Sequence, residues 1–204
     1  MSVLTPRRPV QSKDVSRGGY YPISVEKYHE MIAKGVLTED DPVELLEGLL
    51  VPKMPKNPAH ALALRLLRKI LEALLTSKYQ LLTQDPLTTE DSEPEPDAAV
   101  VRGGLRAFAK RHPGPEDICI VIEVSDSSLA RDRGTKKRVY ARSGIPQYWI
   151  VNLKTECVEV YAEPVVKGVQ ADYRIKTIYA KKDSIPVVLD GREVGRVPVK
   201  EILP

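Results

Sequence analysis

Ile118-Cys119-Ile120-Val121-Ile122-Glu123-Val124-Ser125 is the stretch on which the fold turns. Its apolar residues run on without polar alternation, so it reads as a strand buried on both faces, inside a sheet with helices on each side. Glu123 breaks the pattern. It shares a strand face with Val121 and Ser125. An ionised carboxylate in such a run needs a cation or a strong set of donors. Arg131 or Arg133 would make an ordinary salt bridge, and a metal ion is the functional alternative.

Upstream, residues 92–101 read SEPEPDAAVV. The prolines exclude a helix interior, and Ala98 to Val101 reads as a strand headed by Asp97. A loop aspartate closing a turn is the plain reading of Asp97. A carboxylate delivered to the edge of the sheet is the functional one. Glu95 lies two residues earlier, with Pro96 between, and is expected to face solvent. Downstream, Asp126 to Ser143 reads as a helix with an irregular start, ended by Gly144. At helical spacing Asp132, Lys136 and Tyr140 fall on one face, with Arg131, Arg133, Lys137, Arg138 and Arg142 around it. Most charge runs of this kind are solvated faces. An amine aimed at a phosphate or at an attacking water is the alternative. Two carboxylates and an amine, without a Cys or His ligand cluster, suit a hard cation such as Mg²⁺, or Mn²⁺ in its place. That points to phosphodiester hydrolysis.

The rest of the chain frames this centre. Pro58 opens a helix in which Leu62, Leu66, Ile70 and Leu74 recur at i+4, with Leu67 and Leu71 beside them. His60, near its start, reads as a surface or capping residue, with a phosphate contact as the functional alternative. Ser24 begins a shorter helix ended by Gly35. In VELLEGLLV (residues 43–51) Gly48 suggests two short strands about a tight bend, with Glu44 and Glu47 on either side of Leu45-Leu46. Tyr79 to Gln84, Gln147 to Leu153 and Cys157 to Ala162 read as strands. Asp190-Gly191 is a hairpin signal in a β-rich tail from about residue 164. The expected fold is α/β, a mixed central β-sheet flanked by helices. Residues 1–20 are expected as a flexible lead-in, and 21–204 as one domain.

The chain has 204 residues, with 31 basic against 28 acidic side chains, a net charge of +3. A uniform excess that small steers little, so any case for a nucleic-acid partner rests on local clusters. The length allows about 70% of the unfolded surface to be buried, without disulfides or a structural metal. Cys119 and Cys157 read as reduced residues, which with the lack of a signal sequence or an apolar span suggests a cytoplasmic protein with no membrane partner. No Gly-x-Ser-x-Gly, P-loop or dinucleotide fingerprint is present.

The segments VELLEGLLVPKMPKNPAH, SEPEPDAAVV, VIEVSDSSLARDRGTKKRVYARSGIPQYWIVNL and VEVY, in this order, resemble the Uma-two family of restriction-endonuclease-like proteins. The resemblance runs from about Tyr21 onward. It implies the PD-(D/E)XK nuclease fold with a Mg²⁺ site at one edge of the sheet. Matched by position, Asp97 and Glu123 stand at the two metal-holding acidic positions and Glu44 at the early accessory one. Two residues after the glutamate, where the superfamily carries its lysine, stands Ser125. The resemblance moves the amine to Lys136 on the following helix.

The expected function is therefore a Mg²⁺-dependent DNA endonuclease, with a non-cleaving nuclease-fold binding module as the second reading. Because a double-strand cut calls for two sites, a homodimer is expected. Tyr148, Trp149 and the tail are its candidate apolar surface.

Overall fold

All eight residues of the strand Ile118–Ser125, β5, are buried. A computed structural model describes residues 19–204 of the chain. The lead-in expected over residues 1–20 lies almost wholly outside them. β5 is an inner strand of a six-stranded sheet made, in spatial order, of β3 (Tyr79–Leu82), β4 (Ala98–Arg102), β5, β6 (Gln147–Asn152), β7 (Cys157–Lys167) and β8 (Gln170–Ala180). Only β5 and β6 run parallel; the other neighbours are antiparallel. The sheet is mixed, as expected.

The parallel pair requires a crossover, which residues 126–146 provide. Within it α3 (Leu129–Arg131), a π-helical turn (Asp132–Lys136) and α4 (Lys137–Arg142) follow without a break in helical backbone. Residues 126–128 form the irregular start and the helix begins at Leu129, while the π turn lies in its interior and was not expected. In an α-helix an i+4 stripe drifts by roughly 40° per step, and the wider π turn opposes that drift. Asp132, Lys136 and Tyr140 therefore all stay buried against the sheet.

Each face of the sheet carries its own core. On one, Ile120, Ile122, Val124, Trp149 and Val158 pack beneath α2 (Pro58–Leu74), the hairpin of β9 (Ser184–Leu189) and β10 (Arg192–Pro198), and the C-terminal Ile202. On the other, Val121, Ile150, Tyr148 and Tyr161 pack beneath α4. Trp149 and Tyr148 sit in opposite cores, each fully buried. Neither supplies the interface surface expected of it, because in β6 each side chain is already covered by a helical layer.

α2 begins as the sequence implies. Asn57 caps it by accepting from the His60 backbone N–H, and Pro58 takes the first position, where no N–H is needed. Its buried seam is shifted from the expected leucine stripe. His60, Ala63, Leu67 and Leu71 face the sheet, while Leu62 is exposed. α1 (Val25–Ala33) is capped by Ser24. β1 (Val43–Leu46) and β2 (Leu49–Pro52) form a hairpin whose two turn residues, Glu47 and Gly48, have φ of 50° and 78°. A Cβ on Gly48 would meet Pro22 Cβ at 2.8 Å, so the bend demands glycine. Arg138 grips the Glu47 carboxylate with two hydrogen bonds of 2.8 and 2.7 Å and ties the hairpin to α4.

β7 extends well past its expected end at Ala162. Its last residues pair with β8 beyond the reach of β6. Val166, Val169, Ile175 and Ile178 leave apolar surface exposed on this hairpin. Among the described residues both cysteines are free, and no helix is long and apolar enough to cross a membrane.

Glu159 lies on β7 within the α4-side core. Burial would raise its pKa, but hydrogen bonds from Arg133, Lys176, Tyr161 and Asn152 hold it down at about 2. The folded value lies below the ordinary 4.5, so the stabilisation is present above pH 4.5 and is lost as pH falls towards 2. Glu159→Gln should cost about 2 kcal/mol at pH 7, the scale of a hydrogen bond to a charged group. It should also flatten the acid limb. Thermal melts from pH 6 to 3 check this, and parallel curves for variant and wild type would refute it.

Candidate active site

Ala98 pairs with Ile122 across β4 and β5. One step further along this antiparallel register, Asp97 comes beside Glu123 at the edge of the α4-side core. The two strands the sequence singled out are therefore adjacent, and their carboxylates open on one cleft. Glu44 reaches the same cleft from β1, and Lys136 reaches it from the π turn. The cleft encloses about 70 Å³. Each of Glu44, Asp97, Glu123 and Lys136 is at most 7% exposed.

Lys136 Nζ donates to Glu123 Oε1 at 2.9 Å and lies 3.3 Å from Glu44 Oε2. Tyr140 donates its hydroxyl to the same Glu123 oxygen at 2.8 Å. Neither arginine expected beside Glu123 is there. Arg131 donates to the Pro52 carbonyl at 2.6 Å and lies 3.8 Å from Glu44, while Arg133 turns to Glu159. Ser125, at the position where the superfamily has its lysine, donates to Asp132.

Asp97 is held through a single oxygen. Oδ2 accepts from the Val124 backbone N–H at 2.8 Å and lies 2.9 Å from His60 Nε2. His60 is therefore not a surface residue. The first turn of α2 packs it against the sheet, and Asp97 occupies its Nε2.

Burial pushes the Glu123 carboxyl up to about 8; the nearby Asp132, Asp97 and Glu44 push the same way, and Lys136 opposes them. Burial pulls the Lys136 ammonium down, but Glu123 and Glu44 outweigh it and hold it above the usual lysine range. Burial also raises Asp132, against hydrogen bonds from Ser125 and Ser128. The cluster is rich in acid groups and short of positive charge.

The donor set suits a divalent metal. Hard carboxylate oxygens from Glu44, Asp97 and Glu123 line the cavity. Among the described residues, no hydrogen bond falls on Asp97 Oδ1 or Glu123 Oε2, because those at Asp97 and Glu123 are taken by the opposite oxygens. Among the same residues, no three acidic, imidazole or thiol groups are already gathered closely enough to hold an ion. The Lys136 ammonium lies between Glu44 and Glu123, so these groups would have to close around a cation.

Several lining residues were missed at the level of sequence. Asp132 is a further buried carboxylate of the cleft, one step down the helical stripe from Lys136. Glu95, expected in solvent, lines the cleft with its carboxylate 2.6 Å from Lys53 Nζ, and its N–H donates to Glu44 Oε2 at 3.1 Å. Asn57 Nδ2 donates to Asp126 Oδ2 at 2.7 Å across the mouth. The i, i+4 spacing of Asp132 and Lys136 was the one signal available for any of these.

A family model described as "Putative restriction endonuclease", Uma2, matches residues 25–194. Among solved structures, the chain is similar to a protein from Anabaena variabilis described as "a putative nuclease belonging to DUF820". The likeness has 14% identity and a TM-score of 0.66, and covers 89% of this chain and 97% of that one. No curated protein matches the sequence. The shared fold is that of the restriction-endonuclease-like nucleases.

Because the folded pKa of Glu123 is raised from 4.5 to about 8, its contribution to stability is complete below pH 4.5 and is lost as pH rises through 8. In EDTA the wild type should lose thermal stability over this window, and Glu123→Gln should not. Melting curves at pH 5 to 9 test this, and equal slopes in the two proteins would contradict it.

Proposed function

The chain belongs to the Uma2 family, and on that basis we propose that its carboxylate cleft hydrolyses phosphodiester bonds in DNA with a bound Mg²⁺ or Mn²⁺. What carries the reading is the convergence of Glu44, Asp97 and Glu123 with a buried ammonium, Lys136, in one cleft. Asp97 and Glu123 would hold the ion, and Glu44 would assist. When bound, the cation supplies Lewis acidity, offsetting charge that builds on the phosphate.

The chain's own groups supply the rest. Lys136 carries three N–H donors. Two face Glu123 and Glu44, which leaves one for a phosphate oxygen or the attacking water. Held above the usual lysine range, it keeps its proton and acts as a donor and a fixed charge. Abstracting a proton is not its role. Tyr140 keeps Glu123 in place through the hydrogen bond to Oε1. Ser125 acts at one remove, by holding Asp132 against the end of β5. Lys53 and Lys56 at the mouth suit the DNA backbone, where cationic side chains supply most sequence-independent affinity.

Two sites are needed to cut both strands, which favours a homodimer. Light scattering at micromolar concentration should give twice the mass of the chain, and the monomer mass would count against it.

The direct test is nicking of supercoiled plasmid with Mg²⁺ or Mn²⁺. Asp97→Asn, Glu123→Gln and Lys136→Met should each lower the rate by about 100-fold or more, the loss expected when a preorganised charge is removed from a reaction site. Lys137→Ala should stay close to wild type, since Lys137 pairs with Asp172 on the surface. A wild type that cuts no DNA with either metal would favour a binding module on the nuclease fold. Equal behaviour of Lys136→Met and Lys137→Ala would remove Lys136 from the reaction.

A further inference from the structure

His60 occupies a position that the rest of α2 gives to aliphatic residues. The buried seam runs His60, Ala63, Leu67, Leu71, and helical periodicity calls for an apolar side chain at its head. The imidazole is buried, and its Nδ1 is sealed from solvent without a hydrogen-bond partner among the described residues. Leaving a buried polar atom unsatisfied is destabilising, and a leucine here would avoid that. Such local conflicts with the pattern of a fold gather at functional sites.

The other ring nitrogen shows what is gained. Nε2 lies 2.9 Å from Asp97 Oδ2, which also accepts from the Val124 N–H at 2.8 Å. An ionised carboxylate only accepts, so Nε2 carries the proton. Nδ1 is closed off, so the ring has no free nitrogen to offer to substrate. It acts through Asp97.

Resting on the metal-dependent reading above, we propose that His60 is a positioning residue. It donates to Asp97 Oδ2 alongside the Val124 N–H and fixes the rotation of the carboxylate, so that Oδ1 is left for the cation. Its own depth is set by the Asn57 cap, which accepts from the His60 N–H at 2.9 Å. The N-terminus of α2 thereby sets the orientation of one metal-holding group from outside the sheet.

The experiment measures Mn²⁺ affinity of the full chain by calorimetry, with metal-free melting curves alongside. His60→Leu removes the donor and the orphan nitrogen together. It should melt no lower than wild type, yet bind Mn²⁺ about 10- to 100-fold more weakly, the usual cost of losing a partner that orients a metal ligand. His60→Gln places an amide N–H near the position of Nε2 and should recover most of that affinity. Unchanged affinity in His60→Leu would overturn the proposal, as would equal losses in His60→Leu and His60→Gln. No Mn²⁺ binding by wild type would overturn both the proposal and the metal-dependent reading. Failure in the variants alone would spare that reading.

Discussion

The buried contact between Lys136 and the carboxylates of Glu123 and Glu44 is the interaction on which the rest of this structure depends. Three elements distant in sequence meet there: the β1–β2 hairpin, the central strand β5 and the crossover helix. An ammonium inside a protein is tolerated only where carboxylates repay its lost hydration. Without it, among the described residues Glu123 would have no cationic partner and Glu44 only Arg131, at 3.8 Å. Much else serves to hold this contact. The glycine at residue 48 lets the hairpin turn, Arg138 fastens that hairpin to α4, and the π turn keeps Lys136 directed at the sheet.

Two buried glutamates on one face of the same sheet show how far surroundings, and not burial alone, decide the charge state. Glu123 on β5 and Glu159 on β7 are separated only by Ile150 of β6 in the strand register. Glu159 receives donors from four side chains, two of them cationic and open to water, and is a settled anion. Glu123 shares one lysine with other acids, and its carboxyl holds its proton far more tightly. The first arrangement stabilises the fold. The second stores unsatisfied negative potential in a cavity, which suits a ligand of opposite charge.

Much of this was legible in the sequence, because the features concerned are short-range. The unbroken apolar run around Glu123 identified the central strand, the prolines before Asp97 fixed where β4 begins, and the i+4 spacing brought Lys136 to the inner face of its helix. What escaped reading depended on tertiary placement. His60 looked like a capping residue because a helix start is usually exposed, yet α2 buries its first turn. Glu95 was assigned to solvent from the proline beside it, whereas Lys53, 42 residues away, draws it to the cleft. Tyr148 and Trp149 suggested an interface because they carry more apolar surface than a lone sandwich needs. Layers cover both faces.

The π turn at Asp132–Lys136 also affects how this helix can be compared with others. A π turn amounts to about one residue more than an α-helical turn holds. Residues before and after it therefore follow two helical wheels offset from each other. A relative lacking that residue would run as plain α-helix, and an ungapped alignment would then pair Lys136 with a side chain on a different azimuth. The tandem Lys136-Lys137 makes such a slip easy to overlook, since either lysine preserves the chemical type. The position that Lys136 occupies is thus defined by its angle about the helix axis, and the count of residues from Glu123 is only an approximate guide to it.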